Sequence, residues 1–320
     1  MLKLAEQQKK QEKIKLGFYP YTYVRTVVMR ALLFRKEDYG KMLKMGFSEI
    51  AKFLQESNYR KEINALAAEH SGADLLELAL NRNLAESFKK LIRISSPELA
   101  LLIKEYIKRK DIEDIKTVLR GRFTNTNEKA VADSITAAGT LSYDFLMLLL
   151  KKESIEEILK GNKIVDFDLF KNAVKDLNET NSLTGIENVF DKYYYGSIMQ
   201  FSNRLPREGA LFRNFLLKEI EILNILTLFR LKKAKFGKDI AKEFIILSGD
   251  RLTDSKINDL IDIDDLDELS KAFQKTEYKN VIAKGIEEFK KTGSLITIET
   301  EFYKHLLKQS ILFMHQHPLS

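Results

Sequence analysis

The histidines and the clustered carboxylates are the side chains of this chain best equipped for chemistry. His315-Gln316-His317 places two imidazoles close together. An ion held at structural or catalytic affinity needs a third ligand, and His305 lies ten residues upstream, so the pair reads as a polar segment and not as a metal centre. His70 stands alone and reads as structural. The run Asp262-Ile263-Asp264-Asp265-Leu266-Asp267-Glu268 has the acidity of a calcium loop, but Asp267 occupies the sixth position, where such a loop requires glycine. It reads as a helix start with acids in its first turn. Tyr193-Tyr194-Tyr195 beside Lys192 has the aromatic and cationic character that stacks nucleic-acid bases, yet it lies inside a helical pattern, where packing is the better reading.

Several chemistries are missing outright. There is no cysteine, which excludes disulfides, thiolate metal sites and thiol nucleophiles. No GxxxxGK[ST] and no GxGxxG occurs, so no backbone cradle for phosphates is visible. We expect no catalytic residue, no cofactor and no metal. The many Asp and Glu form no distinctive constellation for a carboxylate enzyme.

The elements that would position any site are helices. Proline is scarce, with 4 in 320 residues, and the 14 glycines are scattered. The stretch Pro206 to Arg230 runs without proline, and without glycine after Gly209. Its Leu211, Phe212, Phe215, Leu216, Ile220, Leu223, Leu226 and Leu228 cover most of a helical circumference. A helix apolar on so many sides is buried on most of them and acts as a central beam. Pro97 opens a second such beam ending in Thr117-Val118-Leu119-Arg120, and Thr227-Leu228-Phe229-Arg230 lies 110 positions later. Asp111-Ile112 and Asp114-Ile115 face Glu221-Ile222 and Asn224-Ile225 at the same offset, and Ala138-Gly139 faces Ser248-Gly249. Tyr59 and Ile63 match Tyr278 and Ile282 at an offset of 219, about twice as large. Pro20, Pro97, Pro206 and Pro318 open equivalent positions. A repeat of this kind decides the fold.

The expected organisation is therefore a polar extension at 1–16 and helical units at 17–95, 96–205 and 206–317. Residues 318–320 would begin a further long apolar helix, at the point where the chain stops. The first unit should hold a beam over Tyr21–Leu33 with Tyr21, Val24, Val28 and Leu32 at helical spacing. Short helices should follow at 37–44 and 48–55, the latter capped by Ser48, and then one helix from about Ile63 to Ile94. In the second unit a helix should end near Gly139. The fold class is all-α, three similar units forming a pseudo-threefold funnel.

The MLKLAEQQKKQEKIK start lacks the apolar core of a signal peptide, and no run reaches the ~18 apolar residues of a membrane span. The net charge of +7 fits nucleic acid, acidic lipid or an acidic protein partner. Arg120, Arg122, Arg230, Lys232 and Lys233 follow the beam ends, where cations favour the helix dipole, and they are the candidates for contact with an acidic partner.

Tyr21-x-Tyr23-x-Arg25, then Met29 and Leu32-Leu33, followed by FSEIAKFLQESNY, resembles the C subunit of the A/V-type ATPases (ATP synthases), whose eukaryotic relative is the d subunit of the V-ATPase. DIEDIKTVLRGR and EIEILNILTLFR are similar to that family's repeated helices, and the resemblance spans roughly residues 18–320. Val27 stands where relatives often carry a second arginine, and the family usually continues beyond the proline matching Pro318. The resemblance implies a non-catalytic central-stalk socket between the membrane rotor ring and the axle subunits, serving ion transport and ATP synthesis or hydrolysis. It implies a cytoplasmic chain peripheral to the membrane through the complex, without membrane insertion, nucleic acid or small-molecule substrate. The alternative is a basic helical scaffold for nucleic acid, with affinity falling steeply as salt rises.

Overall fold

The computed structural model describes residues 16–246 and 254–317, and all regular structure among them is helical. The chain divides into two compact units, Phe18–Tyr194 and Tyr195–Pro318, with Leu16 and Gly17 belonging to the second. The expected polar extension, apart from Leu16, and the Ser248-Gly249 and Pro318 anchors lie outside the described residues.

The first unit opens with α1 (Pro20–Ala31), α2 (Lys36–Met42), α3 (Phe47–Gln55), α4 (Arg60–Leu66) and α5 (Gly72–Ile94). Leu54, Ile63, Leu66, Leu75 and Ala79 form their core, and Phe34 stacks on Tyr59 at 5.6 Å between ring centroids. Two expectations are corrected here. The helix expected from Ile63 to Ile94 is two helices, because Gly72 takes a positive φ of 63° and Ser71 is extended. The cap of α3 is Gly46 and not Ser48: the Glu49 carboxylate reaches back to accept from the Gly46 N–H at 2.9 Å. The helix expected over Tyr21–Leu33 is present as α1, ending at Ala31, and its Tyr21, Val24 and Val28 are exposed, as is Leu32 just beyond it.

The second beam is α6 (Pro97–Phe123), with Pro97 in its first turn and the Ser96 hydroxyl accepting from the Leu99 N–H. Then come α7 (Glu128–Ser134), α8 (Tyr143–Leu150), α9 (Ile155–Gly161), a 3-10 turn at Phe167–Phe170, α10 (Lys171–Thr180) and α11 (Thr184–Asn203), within which the boundary between units falls. Ile107, Ile112, Ile115, Val118 and Leu119 of α6 are fully buried, as are Leu146, Ile158, Phe170 and Phe190. Each such side chain contributes about 1.5–3 kcal/mol on leaving water. α7 ends at Ser134, short of the expected Gly139, because carboxylates on α6 take up the backbone N–H groups that follow.

The second unit holds a 3-10 turn at Arg207–Gly209, α12 (Ala210–Lys233), α13 (Lys238–Phe244), α14 (Asp254–Asp262), α15 (Leu266–Ala272), α16 (Lys279–Thr292) and α17 (Ile296–Gln316). Pro206 caps the 3-10 turn, so the α-helical beam starts at Ala210, four residues later than the proline alone indicates. Ile225, Leu228 and Phe229 of α12 pack with Leu269, Phe273, Tyr278, Ile282, Ile298 and Phe302 in one core.

Candidate functional site: the ends of the two long beams

After α6 the chain passes through Asn125 at φ 52°, and the Thr126 N–H donates to the Gly121 carbonyl at 2.9 Å. After α12 it passes through Lys235 at φ 57°, and the Phe236 N–H donates to the Leu231 carbonyl at 3.0 Å. Both pairs are 110 positions apart. The next link keeps the same offset. The Asp114 carboxylate accepts from the Thr136 N–H at 2.8 Å and the Ala137 N–H at 2.9 Å. Asn224 accepts from the Ile246 N–H at 2.9 Å and donates to its carbonyl at 2.8 Å. Asp111 secures Thr140 and Leu141 in the same manner, at 2.9 and 2.7 Å. A Cβ at Gly139 would run into Asp111, so only glycine fits this close approach.

The five candidate cations sit around these turns, Arg120 and Arg122 in the first unit and Arg230, Lys232 and Lys233 in the second. Arg120 grips Glu187 with Nε at 2.7 Å and Nη2 at 2.8 Å. Arg230 grips Glu299 with Nη2 at 2.6 Å. Each ties its beam to the last long helix of its own repeat, α11 or α17. The hydrogen bond to Glu187 raises the Arg120 guanidinium above its ordinary range, so it stays charged. Arg122 donates from Nη2 to the Leu150 carbonyl at 2.9 Å, closing the C-terminus of α8, while its Nε is buried without a hydrogen-bond partner. Lys232, also 110 positions later, is buried and donates to the Ile261 carbonyl at 2.6 Å near the end of α14. Cations placed on carbonyls at a helix C-terminus suit the dipole there. Lys233 is exposed, with its ammonium 5.8 Å from the centroid of the Phe289 ring. Four of the five cations are thus two matched pairs of internal clamps.

The other sequence features resolve the same way. The acidic run meets three lysines: Asp262 pairs with Lys238 at 2.8 Å, Asp264 with Lys232 at 3.2 Å and Asp267 with Lys290 at 2.8 Å. Asp265 caps α15 by accepting from the Asp267 and Glu268 N–H groups. Tyr194 is buried and donates its hydroxyl to the Tyr106 carbonyl at 2.8 Å. His70 lines a cleft of about 340 Å³ in the first unit that mixes Lys61 and Arg82 with Glu62, Glu86 and Asp133. Among the described residues no three His, Asp or Glu side chains gather in a metal-holding group. Among the same residues no helix is long and apolar enough to cross a membrane.

Sequence reasoning missed one cluster. Lys218, buried on α12, donates to Glu277 at 2.9 Å, and His305 Nε2 lies 3.2 Å from the same carboxylate oxygen. Burial on its own would raise the Glu277 carboxyl, but Lys218 and then His305 outweigh it and hold it below the ordinary range. Tyr278, edge-on to His305, donates to Glu221 at 2.9 Å. Asp111 and Asp114 are visible as repeat anchors matched by Glu221 and Asn224, but the work of Asp111, Asp114 and Asn224 on backbone groups more than twenty residues away has no local signature. In both aspartates, burial raises the carboxyl above the ordinary range, against the hydrogen bonds that lower it.

These turns, clamps and buried helices can hold a shape rigidly, and they bring together no nucleophile, base and phosphate cradle. The family described as ATP synthase (C/AC39) subunit matches residues 23–320. The A-type ATP synthase C subunit of Methanococcoides burtonii is 38% identical over 303 residues, covering 94% of this chain and 83% of that protein. The C subunit of Methanosarcina acetivorans is 37% identical over 319 residues, covering 98% and 85%. That of Archaeoglobus fulgidus is 32% identical over 306 residues, covering 94% and 84%. With its beams, turns and clamps inside a match that runs through nearly its whole length, this chain belongs to the ATP synthase (C/AC39) subunit family.

Proposed function

We propose that the chain is a non-catalytic central-stalk subunit of a rotary A-type ATP synthase, a socket that couples the axle to the membrane ring. The family match from residue 23 to 320 carries this reading. The mechanism is mechanical. Packed helical interiors are stiff, so load entering at one end leaves at the other with little deformation. The clamps made by Arg120 and Arg230, and by Arg122 and Lys232, fix neighbouring helices to each beam and resist shear between them.

The proposed arrangement is three helical units, 17–95, 96–205 and 206–317, around one axis as a funnel. Its support is local. The turn after each long beam recurs at 110. The turn into α4 recurs at 219, where the hydroxyls of Ser57 and Thr276 donate to the Leu54 and Phe273 carbonyls at 2.7 and 2.8 Å. Partners in this reading are the ring and axle subunits, on the cytoplasmic side of the membrane. Among the five cations, Arg120, Arg230 and Lys233 keep exposed side chains and are the ones proposed to meet acidic groups. Arg122 and Lys232 serve inside the fold.

The test is assembly. The chain is added to an A-type ATP synthase preparation depleted of its own C subunit, and the chain alone is assayed for ATP hydrolysis. Stoichiometric incorporation with no hydrolysis by the isolated chain is expected. A chain that stays outside the complex, or turns over ATP by itself in a clean preparation, overturns the reading.

A further inference from the structure

The cleft in the first unit is lined by charges that the described residues leave unmatched. Its apolar lining, Leu66, Ala85 and Ile135, is buried. Glu62 of α4 also lines it and is only 7% exposed. Its Oε2 accepts a long hydrogen bond from Asn83 Nδ2 at 3.3 Å, and its Oε1 has no hydrogen bond among the described residues. A carboxylate so far from water is costly unless a donor or a cation meets it. Three more charges line the cleft: Asp133, half-buried on α7, and Lys61 and Arg82, exposed on α4 and α5. Among the described residues none of these three side chains makes a hydrogen bond or an ion pair. Glu86 and Lys89 beside them do pair, at 3.0 Å. A further lining residue, Ala137, is held at φ 47°, a left-handed conformation that alanine seldom adopts, with its N–H bonded to the Asp114 carboxylate at 2.9 Å. Backbone strain of this kind collects at ligand clamps.

We propose that the cleft binds a small zwitterion of the class of a free basic amino acid, with its cationic arm on Glu62 and its α-carboxylate on Lys61 and Arg82. The inference goes beyond the chain's role in the complex and does not depend on it. The unmatched charges select the ligand. An inorganic anion would satisfy the two cations and leave Glu62, the most buried of the four, beside a like charge. A polyamine would satisfy the carboxylates and set its own charge against Lys61 and Arg82. A ligand carrying both signs meets both pairs, with its α-ammonium left for Asp133, through the charge-assisted bonds that are the strong ones. Its aliphatic stem lies against Leu66, Ala85 and Ile135. The cleft holds about 340 Å³, inside the range of small-ligand sites, about 300–1,000 Å³. Its lining comes from α4, α5 and the segment that follows α7, so a bound ligand braces helices on either side of the long beam α6.

The test is calorimetric titration of the full chain with L-arginine and three analogues. Agmatine lacks the carboxylate, L-norvaline lacks the guanidinium, and Nα-acetyl-L-arginine lacks the α-ammonium and mimics the last residue of a peptide. L-Arginine should bind saturably, one per chain, with Kd below about 1 mM, and agmatine and L-norvaline at least about tenfold more weakly. Bound arginine should also raise the melting temperature. Glu62→Gln keeps the shape and the acceptor for Asn83 and should weaken arginine binding at least about tenfold. Lys61→Met with Arg82→Met changes exposed side chains only, so it tests the site even where Glu62→Gln fails to fold. It should bring arginine down to the affinity of agmatine and leave agmatine no weaker. No saturable binding of arginine, equal binding of arginine and agmatine, or arginine affinity unchanged in either variant overturns the proposal. Acetylated arginine binding as tightly as arginine overturns the assignment to a free amino acid.

Discussion

Asn224 holds Ile246 by both of its backbone groups, accepting from the N–H at 2.9 Å and donating to the carbonyl at 2.8 Å. The side-chain amide thus completes two bonds that the end of α13 would otherwise leave open. Asn224→Ala removes both and leaves a buried pair without partners. The expected loss is about 1–3 kcal/mol, read as a lower denaturant midpoint with an unchanged slope. An unchanged midpoint would mean that water replaces the amide at no penalty.

Lys232 makes the corresponding argument for a charge. Lys232→Met keeps the stem but deletes the donor to the Ile261 carbonyl, at a cost of about 1–3 kcal/mol. Lys233→Met, one residue on and exposed, should leave the thermal midpoint nearly unchanged. Equal effects of the two substitutions would refute the division into inward and outward cations.

Asp114 does with a carboxylate what Asn224 does with an amide, and burial raises that carboxyl above the ordinary range. The folded chain therefore holds this proton more tightly than the unfolded chain. Its stabilising effect is complete below the unfolded value of about 3.9 and disappears as pH rises through the folded value. The stability of the wild type relative to Asp114→Asn should accordingly be greatest in acid and shrink as pH increases. Denaturant titrations across that range check the sign, and a difference that grows with pH would contradict it.

Gly121 and Val131 hold positions matched at 110 by Leu231 and Ala241, so the small and large partners are exchanged between the two beams. A Cβ at Gly121 would collide with the Val131 side chain. Gly121→Ala should destabilise by about 1–3 kcal/mol, and Val131→Ala in the same chain should recover part of the loss. A double-mutant cycle with no coupling between the two sites would show that they do not share this contact.

The residues themselves explain what could be read in advance. Scarce prolines, apolar side chains on most sides of 206–230 and the repeat that matches 97–120 to it indicate two long helices, and both are present. The pairs Asp114 with Asn224 and Arg120 with Arg230 are visible as letters at one offset. Which way the cations at the beam ends point is not visible, because a helix C-terminus welcomes a cation whether its head turns outward, onto a carboxylate as in Arg120 and Arg230, or onto a carbonyl as in Arg122 and Lys232. The break at Ser71-Gly72 depends on one backbone angle. Tyr21, Val24 and Val28 of α1 look like core in sequence and are exposed, since apolar spacing marks a face without saying what it meets. The Lys218, Glu277 and His305 cluster joins three distant segments, and none of them carries a local sign of it.

The central claim is that this chain couples rotation to ion movement without catalysing anything itself. The most direct measurement is ATP-driven ion uptake into vesicles bearing an A-type ATP synthase depleted of its C subunit, with and without the added chain. The account predicts that uptake depends on the chain and that hydrolysis and uptake rise together once it is bound. Uptake that is indifferent to the chain, or a chain that binds while hydrolysis stays uncoupled from uptake, would contradict it.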